Sequence, residues 1–155
     1  MLKLGTALEP YTFMIINITL KKLTDVPAMR IIRYYWPAIL WILLVLYLCT
    51  LPGSDLPKDP FFEKIHMDKI VHLGLFGCTV LLLCIGYYRS KGHISAFTLT
   101  LFWLVAAFYG LAIEYIQKYW AVERSFDMMD VVADSIGALC GIIAFLLVRK
   151  WWLKK

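Results

Sequence analysis

Four stretches of this chain are apolar enough and long enough to cross a lipid bilayer, and nothing else in the sequence restricts the fold as strongly. A helix rises about 1.5 Å per residue, so roughly 20 apolar residues are needed to cross a hydrocarbon core of about 30 Å. Residues 34–51, 70–88, 96–119 and 131–148 meet that requirement. Pro37 falls in the first turn of the first stretch, where a missing N–H costs least, and Pro52-Gly53 closes it. Tyr34, Tyr35, Trp36, Tyr87, Tyr88, Tyr119, Trp120, Trp151 and Trp152 stand at the ends, at the headgroup depth that polar-edged rings prefer. The expected fold is an all-α membrane protein, with four transmembrane helices in an up-and-down antiparallel bundle.

Charge sets the orientation. In that topology one side holds Lys3, Lys21, Lys22, Arg30, Arg33, Arg89, Lys91, Arg149, Lys150, Lys154 and Lys155. The other holds only Lys58, Lys64, Lys69, Lys118 and Arg124. Because cations resist translocation, both termini are expected in the cytoplasm. The same distribution argues against nucleic acid as a partner: the net charge of +5 is spread between and beyond the apolar stretches and forms no basic face. With 61% hydrophobic and 17% charged residues, the partner that composition demands is the bilayer. Cys49, Cys78, Cys84 and Cys140 lie inside apolar stretches without CxxC spacing and read as small apolar fillers.

Residues 1–28 read as an N-terminal extension, interfacial or untranslated, ahead of a transmembrane domain over 29–155. Their apolar run, 11–20, is about half a span and ends at Lys21-Lys22. Met29 is a candidate start, since Met29-Arg30-Ile31-Ile32-Arg33 supplies a positive flank for the first helix. The segment 52–69, rich in proline and mixed charge, reads as an ordered loop or short interfacial helix, with Phe61-Phe62 at the headgroups or packed under the loop.

The polar residues within the spans fall at one end of such a bundle, where helices one and three finish and helices two and four begin. Asp68 and His72 stand at i and i+4, and Glu114 and Gln117 at i and i+3. Arg124, Asp127 and Asp130 follow, and Asp130, Asp134, Gly137 and Gly141 make one helical stripe expected to face another helix. Gly137 and Gly141 have the GxxxG spacing that lets helix backbones approach closely. Asp68 and Asp130 stand where helix N-caps belong, and Arg124 is a candidate to pin its loop to Glu114 or Asp134.

Glu114 lies about 8 Å inside Tyr119 and Asp134 about 6 Å inside Asp130. A charge at mid-bilayer costs about 2.5 to 3.5 kcal/mol on insertion scales, so each carboxylate needs a partner. His72, Arg124, Lys69 and Gln117 are the candidates. The surplus of acids leaves three outcomes: a protonated acid, a bound cation, or a cationic ligand. No cofactor follows from the sequence alone, but His72, Glu114, Asp130 and Asp134 are candidate ligands for a divalent metal, without a compact motif such as HExxH.

Asp68-Lys69-x-x-His72, Glu114-x-x-Gln117, Arg124-x-Phe126-Asp127-x-x-Asp130 and the Gly137/Gly141 helix together resemble the VanZ-like family, over 36–149. The resemblance implies a membrane protein related to one associated with teicoplanin resistance, with Asp68, His72, Glu114, Gln117, Arg124, Asp127 and Asp130 as the shared polar positions. Asp134 departs from the family, which more commonly carries asparagine there.

Three functions compete. The first is an envelope or glycopeptide resistance factor that binds an envelope lipid, a cell-wall precursor or the antibiotic. The second is a membrane-embedded hydrolase or transferase acting on a lipid-linked precursor. The third is a proton or ion carrier, which needs a homo-oligomer because the inner halves of the helices are apolar. All three depend on two antiparallel hairpins bringing their ionisable side chains to one rim.

Overall fold

A computed structural model of the chain describes residues 9–24, 27–55 and 66–153. Five α-helices follow one another: α1 (Glu9–Thr24), α2 (Pro27–Cys49), α3 (Met67–Lys91), α4 (Ala96–Trp120) and α5 (Met128–Val148). A 3-10 turn, Gly53–Asp55, follows α2, and a π-helical turn, Arg149–Leu153, extends α5. There is no strand among the described residues. The expectation of Phe61-Phe62 at the headgroups, like most of the segment that holds it, lies outside them.

Four helical segments have the length and apolarity of membrane spans: Ile31–Cys49, Met67–Lys91, Ala96–Trp120 and Met128–Trp151. The chain is therefore a multi-pass membrane protein. The 16 residues of α1 rise about 24 Å, short of a span of about 30 Å. Phe13, Met14, Ile15 and Ile16 on that helix are exposed.

Side-chain contacts fix the directions. Trp41 Nε1 donates to the Leu75 carbonyl at 3.0 Å, and Gly86 lies against the Tyr34 backbone, so α2 and α3 run antiparallel. Tyr109 Oη donates to the Ile42 carbonyl at 2.8 Å and Gln117 Nε2 to the Cys49 carbonyl at 2.7 Å, which makes α2 and α4 parallel. Lys69 at the start of α3 meets Asp130 at the start of α5, and Tyr88 near the end of α3 meets Phe145 near the end of α5. These two helices are parallel as well, and the bundle is up-and-down.

The most extensive interface is α3 against α5, helices that are not neighbours in sequence. Glycine makes it possible. A Cβ on Gly137 would overlap the Leu73 carbonyl, and one on Gly141 would overlap the Gly77 carbonyl. With lipid on the outside there is no hydrophobic reason for helices to associate, so close backbone packing carries that interface. The expected stripe is realised: Asp130, Asp134, Gly137 and Gly141 are all buried. Val45, Phe76, Val80, Ala106, Ile113, Ala138 and Phe145 fill the core, together with Cys49 and Cys84. Cys78 and Cys140 face outward, and all the cysteines are free.

Two boundaries differ from expectation for physical reasons. Helix α2 starts at Pro27, so Pro37 is interior, and the carbonyl one turn before it loses its usual donor. Helix α3 starts at Met67, because Asp68 and Lys69 belong to its first turn and not to the loop.

Candidate functional site

The ends of α2 and α4 and the starts of α3 and α5 meet at one rim, where the polar side chains gather. Asp127 caps α5: its Oδ1 accepts the Met129 N–H at 2.8 Å. The cap is thus Asp127, not Asp130, which stands in the first turn of the helix. Asp68 likewise sits in the first turn of α3, behind His66, whose φ of 50° places it in the left-handed region with no side-chain cap bond. Acids at both positions still face the positive end of a helix dipole.

Lys69 gathers these acids. Its Nζ reaches Asp127 Oδ2 at 2.7 Å, Asp130 Oδ1 at 2.9 Å and Asp68 Oδ2 at 3.3 Å, using the donor capacity of one ammonium. The ammonium beside Asp127 holds that carboxyl below the usual aspartate range, helped by the Met129 N–H.

Beneath that layer lies a second one. His72 Nδ1 and Asp134 Oδ1 are 3.0 Å apart in a buried pair, and the His72 ring stacks on Phe76. Asp134 has room because α4 carries Gly110 opposite it; a Cβ there would overlap the Asp134 carboxylate. Asp68, expected on the same face as His72, bonds to Lys69 instead and is largely exposed.

Glu114, fully buried on α4, accepts the Asp127 backbone N–H through Oε2 at 2.8 Å and so ties the start of α5 to α4. Its partner is a backbone amide and none of the side chains considered from sequence. Gln117 bonds to the Cys49 carbonyl. Arg124 does not pin its loop to Glu114 or Asp134: its Nε donates to the Leu51 carbonyl at 3.4 Å. That contact and the Gly53 N–H to the Val122 carbonyl, 2.9 Å, clasp the loop after α4 to the end of α2.

Two oxygens remain unmatched. Glu114 Oε1 and Asp134 Oδ2 are buried and have no hydrogen-bond partner among the described residues. In a low-dielectric interior such an oxygen is satisfied by a proton of its own, or by a cation or donor brought to it. His72, Glu114 and Asp130 each offer a ligand atom within 4.8 Å of the others, and Asp68, Asp127 and Asp130 form a second, more exposed set. Asp134, also a candidate ligand from sequence, belongs to neither set and contacts His72. Sequence reasoning passed over Gly110, whose signal was a residue without a side chain one turn before Glu114 on the same face. It named Lys69 only as a partner, although its place in the Asp68-Lys69-x-x-His72 run gave it reach to both helix starts.

The class defined here is a multi-pass helical membrane protein with a buried, acid-rich cluster at one end of its bundle. The family model described as VanZ/LLP1 matches residues 11–149, nearly the whole chain, and the chain belongs to that family. No curated protein and no solved structure matches it.

Proposed function

We propose that this VanZ/LLP1 protein is an envelope resistance factor of the bacterial inner membrane, whose rim faces outward and receives a cationic or hydrogen-bond-donating group. The ligand is an envelope component or a glycopeptide of the teicoplanin type. One observation carries the reading: Glu114 Oε1 and Asp134 Oδ2 are buried acceptors with no donor among the described residues, beneath a rim that can present a ligand to them. Lys69 bonds to the three outer acids and offsets one of their charges, while the two unmatched acceptors lie one layer down. The orientation is supported by the cation bias, which places the rim opposite the richer side and both termini in the cytoplasm.

Deletion should lower tolerance to teicoplanin-type drugs or to other envelope stress. Glu114→Gln keeps the acceptor for the Asp127 N–H but removes the charge, and it should reproduce the deletion. Measured inhibitory concentrations unchanged in both strains would end this reading.

A second reading has its own support in the buried His72–Asp134 pair, an arrangement that suits general acid/base work on a lipid-linked cell-wall precursor. Turnover of such a precursor by the purified protein, abolished by His72→Gln, would favour it over binding alone.

A further inference from the structure

Three buried side chains at the rim, one each from α3, α4 and α5, lie close enough to share an ion. His72 uses Nδ1 on Asp134, leaving Nε2. Glu114 uses Oε2 on the Asp127 amide, leaving the buried Oε1. Asp130 uses Oδ1 on Lys69, leaving Oδ2. One ligand atom from each of these residues falls within 4.8 Å of the other two, and all three residues are buried. A tetrahedral first-row ion with bonds of about 2.0 to 2.2 Å holds its ligands about 3.4 Å apart, so an inward movement of the side chains closes the set.

We propose that His72, Glu114 and Asp130 form a binding site for a divalent transition-metal ion of the zinc class, with Asp134 as the positioning residue that orients His72. The donor set is one imidazole and two carboxylates without thiolate, which suits zinc and its neighbours and disfavours soft-metal sites. Asp134 on the far nitrogen of the ring is the carboxylate–histidine arrangement that fixes the tautomer and orientation of a metal-bound histidine. Three protein ligands leave a coordination position open, and that position is where an outer ligand would bind. Lys69, 2.9 Å from Asp130 Oδ1, lowers the affinity through its charge and keeps the outer acids from competing for the ion. This inference deepens the reading of the rim as a ligand site and rests on it, but it does not require that the ligand be a drug.

The test uses the full chain purified in detergent, stripped with a chelator and titrated with Zn2+ or Co2+ alone. The expected result is one equivalent bound per chain. The cobalt form should have a visible spectrum of nitrogen and oxygen ligands, without a thiolate charge-transfer band. Glu114→Gln should weaken binding at least tenfold, and Asp134→Asn by about 10- to 100-fold, the usual effect of losing an orienting partner. Less than a tenth of an equivalent bound by wild type would overturn the proposal. So would a thiolate band, or equal affinity in a Glu114→Gln protein that melts like wild type. If both variants fail to fold, the stoichiometry and spectrum of wild type decide. Metal binding without a drug phenotype removes the resistance reading alone; a drug phenotype without metal binding removes the metal alone.

Discussion

The α3–α5 interface is built in two ways along its length. At the rim it is ionic and hydrogen-bonded, through Lys69 to Asp127 and Asp130 and through His72 to Asp134. Deeper in the bundle it is made of backbone, with Gly137 and Gly141 seated on the carbonyls of Leu73 and Gly77. The glycine half has no donor or acceptor to offer a ligand and contributes close packing. At the polar half, Asp134 Oδ2 on α5 and the neighbouring Glu114 Oε1 on α4 have no hydrogen-bond partner among the described residues. A cluster with unsatisfied buried oxygens is a poor way to hold two helices together, so the division assigns stability to the glycines and chemistry to the rim.

The largest expected effect belongs to the glycine half. Gly137→Leu would drive a side chain into the Leu73 backbone, which has no rotamer to yield, and should cost about 3 kcal/mol, the upper end of usual overpacking losses. Reversible unfolding in mixed micelles measures it, and a loss below about 0.5 kcal/mol, the range of neutral substitutions, would break the division. At the rim, Asp127→Ala removes the cap of α5 and the nearest partner of Lys69, and about 1 kcal/mol should be lost by the same measurement.

Acid has the smallest effect. The Asp127 carboxyl is held below its ordinary value of 3.8, so the folded state binds its proton less readily than the unfolded one. Its contribution is fully present above that ordinary value and disappears as pH falls through the lower, folded-state value. Stability measured from pH 6 downward should therefore decline near and below about pH 4, and Asp127→Asn should blunt the decline. An identical decline in the variant would assign the acid sensitivity to other groups.

The fold class was legible because hydropathy alone demands spans, and the end of the bundle that carries the polar residues followed from the up-and-down order. The stripe from Asp130 to Gly141 was legible for the same reason, since helical periodicity needs only spacing. What sequence did not reveal depends on backbone geometry and reach. Asp127 and Asp130 are equally plausible caps until the dihedral angles show that the helix begins at Met128. Arg124 has a long side chain with several carboxylates nearby, and it is a loop carbonyl, Leu51, that lies in range. Glu114 finds a backbone amide, a partner that no residue pattern encodes. The intimate pairing of α3 with α5 joins two helices separated by a whole span, and hairpin logic, which pairs neighbours, does not point to it. Gly110 became meaningful only when Asp134 was found against it.

The central claim is that His72 on α3 and Asp134 on α5 meet in the interior of the bundle. A double-mutant cycle tests it directly, with unfolding free energies of wild type, His72→Gln, Asp134→Asn and the double variant measured in the same micelles. Residues in contact couple by about 0.5 to 3 kcal/mol, and a value of about 1 kcal/mol or more is expected here. Additivity within about 0.3 kcal/mol would mean that the two side chains do not touch, and would contradict the claim.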